Sequence, residues 1–196
     1  MRVHNGIVLV LVLVLGLVLA SDAYSGEPVD RCRHGGYYGT VLKAGPVSGK
    51  AGLYWGAKGA WLINHNISVG GGKYWLFEVK TDEISADGKP LYLDMSYGGF
   101  EFGYIHNYRK KVHWAFHAMF GGGTISLREH NPTIEVESDV FYMVEPGVGV
   151  NINLLPWIQI GISASYLFPI DVELEQIKSP RISGPTAMIS LRLGLF

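Results

Sequence analysis

With 196 residues and a net charge of −1, the chain has room for one domain, and it carries neither a basic stripe for nucleic acid nor an acidic tail that would stay unfolded. Only 17% of its residues are charged, against ~25% in an ordinary soluble domain, while glycines number 26 and aromatics make up 12%. Beyond the N-terminal leader no apolar run is long enough for a spanning helix, so a membrane-crossing form of this chain must be a closed β-barrel, in which every backbone group finds a partner.

Residues 1–20 read as a secretory signal peptide, with Arg2 in a short polar start and an apolar run over 7–20. The run falls short of the ~20 residues that a helix needs to cross ~30 Å of hydrocarbon, which disfavours a retained anchor. Cleavage after Ala20 or after Ala23 leaves a small residue at the cut. Residues 21–34 are expected to form a periplasmic N-terminal segment and 35–196 the barrel. Cys32 is the only thiol and cannot staple its own chain; it reads as a surface cysteine.

Eight segments then alternate with period two, parted by turn signals. The first, "GGYYGTVLKAGPV" (35–47), is the least clear, and Ser48-Gly49 turns it into 50–64, where Leu53, Trp55, Ala57, Trp61 and Ile63 share a face. His65-Asn66 turns the chain into 67–80, where Trp75, Phe77 and Val79 oppose Tyr74, Leu76 and Glu78. In 91–106 the apolar parity flips at Gly98-Gly99, from Leu91, Leu93 and Met95 to Phe100, Phe102 and Tyr104, which predicts a bulge there. The next segment, 112–123, sets Trp114, Phe116 and Phe120 against His113, Ala115 and His117. The pair "MVEPGVGVNINLLPWIQIGISASYLF" (143–168) and the last strand, "TAMISLRLGLF", alternate most cleanly. The triplets at 70–72 and 121–123 lack the strand-to-helix setting of phosphate loops and read as strand flexures.

Alternation alone fits a soluble sandwich or a membrane barrel. The polar faces decide for lipid, because they hold Gly, Ser, Ala, Asn and Tyr with isolated charges, which suits a cramped barrel lumen rather than a water-facing surface. Trp61, Tyr104, Trp114, Tyr142 and Tyr166 fall near strand ends, as aromatic belts do. Pro146 needs an edge, a bulge or a ladder position that donates no bond. Loop lengths agree: turns near 65–66, 107–111 and 153–156 would be periplasmic and short, whereas 81–90, 126–139 and 169–184 would be long external loops.

An exported chain of alternating Gly-rich strands that ends on Phe196 resembles the small outer-membrane β-barrel proteins of Gram-negative bacteria. More narrowly, "GP" (45–46), "GAKGAWLINH" (56–65), "GGG" (70–72), "YGG" (97–99) and "EPGVGVNIN" (145–153) resemble a group of uncharacterised eight-stranded barrels. The resemblance implies an all-β, eight-stranded antiparallel up-and-down transmembrane barrel in the outer membrane. The expected partners are outer-membrane lipid and the outer-membrane assembly machinery, with no nucleic acid, no cofactor or metal, and a monomeric state.

Lys58, Glu78, Glu101, His113, His117, Glu145 and Arg192 point inward by parity, and buried charges must pair to be tolerated, so they are expected to form a structural polar network in the lumen. A turn centred near Arg109 would oppose His117 to Glu101 and make them an ion pair. Lys58 and Glu78 stand two or three pleats out of register. His113 and His117 lie about 13 Å apart along a strand, too far to share one metal ion. The role expected is structural, adhesive or limited transport or binding, and no enzyme. The alternative is an outer-membrane lipid-modifying enzyme that uses Ser126, Glu129 and His130 in one external loop. A soluble periplasmic carrier would need the apolar face inside.

Overall fold

The computed structural model describes residues 34–47, 49–84, 90–129, 135–170 and 182–196. The leader, Cys32 and most of the 21–34 segment lie outside the described residues. The strands are β1 (His34–Val47), β2 (Lys50–Ile63), β3 (Ile67–Leu76), β4 (Val79–Ile84), β5 (Pro90–His106), β6 (Val112–Glu129), β7 (Glu135–Leu155), β8 (Ile158–Ile170) and β9 (Gly184–Leu195). Each pairs antiparallel with its chain neighbour, β1 closes on β9, and β3 and β4 both pair with β5. The two therefore form one stave, and the sheet is a closed eight-stave barrel.

The interruption between β3 and β4 is a bulge. Trp75 opposes Ser96 and Val79 opposes Leu93, so four steps on one strand match three on the other. The extra residue reverses the facing: Tyr74 and Leu76 point inward before it, and after it Val79 packs on the interior while Glu78 is exposed. By contrast β5 runs unbroken past Gly98 and Gly99, in register from Leu91 opposite Glu129 to His106 opposite Trp114. The bulge expected at Gly98-Gly99 is thus absent, and it occurs one strand away. The parity flip in β5 has another cause. Leu91, Leu93, Met95 and Tyr97 face the interior and are 1% exposed or less, whereas Phe100 and Phe102, on the opposite parity, face out.

The wall therefore has two zones. In the periplasmic two-thirds, the outward side chains are mainly apolar and the inward ones mainly polar, apart from an apolar cluster at the mouth. On β9 the outward set is Ala187, Ile189, Leu191, Leu193 and Leu195, facing away from Met188, Ser190 and Arg192. In the external third of β5, β6 and β7 the order inverts: Leu93, Ile125, Leu127, Phe141 and Met143 fill the interior, while Asp94, Ser96, Thr124 and Ser138 stand outside. The apolar exterior from Pro185 to Leu195 measures about 34 Å along the strand and about 26 Å after a ~40° tilt, the height of a lipid-facing band. Trp61 and Trp114 mark its lower edge and Tyr142 and Tyr166 its upper edge, all exposed; Tyr104 is half-buried.

Two of the long external loops are shorter than the sequence suggests. β4 reaches Ile84, β6 reaches Glu129 and β7 starts at Glu135, so most of 126–139 is strand. Ser126 sits between Asp94 and Ser138 in the ladder. The periplasmic turns lie at 64–66, 107–111 and 156–157, within a few residues of expectation. Asn64 and His65 close the first with φ of 53° and 59°. Pro146 opposes Ala118, and the β7–β8 register is the same on both sides of it, so it occupies a ladder position that donates no bond.

Phe116 faces out and Ala115 faces in. Phe116→Arg is expected to cost roughly 1–2 kcal/mol, because Phe116 lies two residues inside the Trp114 edge and the midplane penalty for a cation falls toward the interface. Chemical unfolding of the refolded protein in lipid checks the value. Brominated acyl chains should quench Trp114 in the same preparation, and a Trp114 shielded from them would reverse the assignment of faces.

Candidate functional site

The lumen holds a polar band between two apolar plugs. At the periplasmic mouth Tyr37, Leu62 and Ile105 pack together with Ala60, Tyr108, Ala115 and Phe196. At the external end Tyr54, Tyr74, Tyr97, Leu91, Phe141 and Met143 belong to a larger cluster. Five of the seven residues expected in the lumen are buried between or beside these plugs: Lys58, Glu101, His113, Glu145 and Arg192. His117 also faces inward, over Gly147, where a Cβ would lie 2.5 Å from Nε2. Glu78 does not join them, because the bulge turns it out.

Glu101 is bound by Lys58, whose Nζ donates to Oε1 at 2.6 Å and Oε2 at 2.8 Å. The two residues sit on β2 and β5, which are not neighbours, since β3 runs between them. Lys58 opposes Gly72 and Glu101 opposes Gly70, so β3 offers no side chain at either place and the ion pair closes across it. The triplet 70–72 thus stays in the ladder and clears the floor under the pair. The expected pairing of His117 with Glu101 is corrected accordingly. Glu101 opposes Met119, and His117 opposes Gly103, because the β5–β6 ladder starts at His106 and Trp114, making the turn longer than one centred on Arg109.

Lys43, which sequence reasoning missed, makes the second pair. Its ammonium contacts Glu145 on the far side of the lumen. Glu145 Oε1 also accepts from Ser165 Oγ at 2.5 Å and Thr186 Oγ1 at 2.9 Å, and those hydroxyls lie 2.7 Å apart. Lys43 Nζ stands 4.6 Å from the centre of the Tyr74 ring and 5.1 Å from that of Tyr97, so aromatic faces complete its surroundings. Nearer the periplasm, Arg192 donates Nη1 to Asn151 Oδ1 at 3.0 Å and to Gln159 Oε1 at 3.1 Å, and Nε to Ser190 Oγ at 3.0 Å. Its guanidinium also lies over Tyr37 at 4.9 Å.

Each of these charges is taken up by partners of fixed geometry, which is the arrangement of a buried structural network. The hydroxyls of Ser165 and Thr186 donate to a carboxylate oxygen that also holds the Lys43 ammonium, which makes that carboxylate a poor base for either. Among the described residues no three His, Cys, Asp or Glu side chains converge as metal ligands.

No protein-family model matches the chain, and no curated protein matches its sequence. Solved structures do match its fold. The Yersinia pestis attachment invasion locus protein Ail, in complex with the heparin analogue sucrose octasulfate, aligns with a TM-score of 0.54 at 16% identity, over 85% of this chain and 100% of Ail. The N-terminal β-barrel domain of Pseudomonas aeruginosa OprF aligns with a TM-score of 0.54 at 8% identity, over 84% of this chain and 100% of that domain. Neisserial surface protein A gives 0.51 at 10% identity, over 85% of this chain and 99% of that one. The chain has the fold of the small eight-stranded outer-membrane β-barrels of Gram-negative bacteria.

Proposed function

We propose that this chain is a monomeric integral protein of the Gram-negative outer membrane, in which a plugged barrel serves as an anchor for a structured external end. Its role is then structural or adhesive, with no wide diffusion pathway. One observation carries the reading: the lumen is barred in series by the mouth cluster around Tyr37, the ion pairs Lys58–Glu101 and Lys43–Glu145, and the external cluster around Tyr97 and Phe141. Eight staves enclose an interior that side chains just fill, and here they fill it with charge pairs locked between apolar layers. The external strand ends supply the surface that such an anchor would display. Insertion by the outer-membrane assembly machinery fits a last strand that closes the barrel against β1 and ends beside Phe196.

The polyanion seen on Ail does not carry over readily. In sequence, β4, the outer part of β5 and the outer ends of β6 and β7 carry Asp82, Glu83, Asp94, Glu129, Glu135, Glu137 and Asp139, against Lys80 and Arg128 there and Lys50 at the start of β2. Arg128 is itself 3.4 Å from Asp94. The lipid-modifying alternative needs Ser126, Glu129 and His130 in one loop. Ser126 and Glu129 belong to β6, and His130 lies outside the described residues.

Planar-bilayer recording of the refolded chain tests the proposal. The expected result is no large, steady conductance, and a steady open level of porin size would overturn the anchor reading.

A further inference from the structure

At the periplasmic rim, the turn between β5 and β6 carries Arg109, Lys110 and Lys111 in succession, and all three are exposed. Their setting is one-signed. The acidic residues of β4, and those of β5, β6 and β7 other than the lumen pair Glu101 and Glu145, all lie at the opposite end, and among the described residues no acid stands at this rim.

The platform is rigid because the neighbouring turn holds it by the backbone. Asn153 N donates to Lys111 O at 2.8 Å, Asn153 Nδ2 to Lys110 O at 3.4 Å, and Lys110 N to Asn107 O at 2.9 Å. His113 Nδ1 lies 3.1 Å from the same Lys110 carbonyl. These bonds use carbonyls and amides of the lysines and leave their ammonium groups to the exposed face. Arg109 leans on Tyr108, with Nε donating to Oη at 3.2 Å. The adjoining β7–β8 turn exposes Leu154, Leu155 and Trp157 beside the lysines.

Depth narrows the choice of partner. Trp114 is three residues beyond Lys111 and belongs to the aromatic edge of the apolar band, so at ~3.4 Å per residue the lysines stand within about 10 Å of it. That is where phosphates lie, not bulk periplasm. We propose that this rim binds the headgroups of anionic phospholipid in the surrounding leaflet, with Lys110 and Lys111 facing the phosphates and Leu154, Leu155 and Trp157 set into the upper acyl region. The proposal rests on the membrane reading above.

Two lysines at an anionic surface, at ~1 kcal/mol each, should enrich such a lipid on the order of thirty-fold at low salt, less as salt screens them. The test refolds the full chain into phosphatidylcholine vesicles and measures the immobilised fraction of spin-labelled phosphatidylglycerol against spin-labelled phosphatidylcholine. The intact chain should prefer phosphatidylglycerol about thirty-fold at low salt, and both Lys110→Gln/Lys111→Gln and Lys110→Glu/Lys111→Glu should abolish the preference. Lys80→Glu, at the other end, should leave it unchanged. Equal immobilisation of the two lipids by the intact chain, or a preference that survives both double substitutions, overturns the rim proposal alone. Failure of the intact chain to insert into the vesicles overturns the membrane reading and this proposal together, so the two failures are told apart.

Discussion

Glu145→Leu is expected to destabilise the barrel by about 3–5 kcal/mol, the usual cost of removing one member of a buried charge pair. The substitution strands the Lys43 ammonium, which is 2% exposed in side chain, and also removes the acceptor of Ser165 and Thr186. Three donors then lose one oxygen. The Tyr74 and Tyr97 faces beside Lys43 offset part of this, but an aromatic face is worth about 2 kcal/mol when desolvated and does not replace a carboxylate. Lys43→Met/Glu145→Leu should recover much of the loss, because both charges go together and apolar groups of similar length take their place. Urea unfolding in micelles, followed by tryptophan fluorescence, measures both of these and the single variant Lys43→Met. If the double variant lost the sum of the two single losses, the residues would be acting independently and the cross-lumen pair would be disproved.

The sequence made the barrel and most lumen residues legible for one reason: period-two alternation assigns every residue to one of two faces. Lys58, Glu101, His113, Glu145 and Arg192 followed from parity alone. Alternation does not say which face is apolar at a given height, however. Below the upper lipid boundary the apolar face is outside, and above it the apolar face is inside. Leu91, Leu93 and Met95 therefore looked like a slipped continuation of Phe100 and Phe102, although β5 runs straight through. The same inversion hid the outer halves of β6 and β7, where Ile125, Leu127 and Phe141 point inward and the polar exterior reads like a loop.

Pairing was the second thing the sequence could not reveal. Both ion pairs join strands that are not neighbours, so register between adjacent strands, the only geometry a hairpin turn supplies, leads to the wrong partner. The usable signal was the absence of side chains. Gly70 and Gly72 lie opposite Glu101 and Lys58, and inward glycines between two inward charges of opposite sign mark the floor over which they meet. Lys43 was missed because the first segment gave the weakest alternation, and Glu78 was misplaced because a single inserted residue reverses everything after it.

Phe141→Ala should cost about 3–5 kcal/mol, the usual loss for truncating a buried phenylalanine. Phe141 is fully buried in the external cluster, with the outward Val140 on one side of it and Tyr142 on the other. If the external third is a water-flanked core, it obeys the rules of a soluble protein: truncating an inward ring leaves a cavity, while a polar group on the outer face is harmless. Val140→Asp, at the exposed neighbouring position, should then change stability by less than about 0.5 kcal/mol. The comparison reverses lower down, where an outward charge is costly and Phe116→Arg loses its roughly 1–2 kcal/mol. Denaturant unfolding in the same lipid compares the three. A large cost for Val140→Asp would mean that lipid reaches the height of Phe141, and the boundary drawn where the pattern inverts would have to move outward.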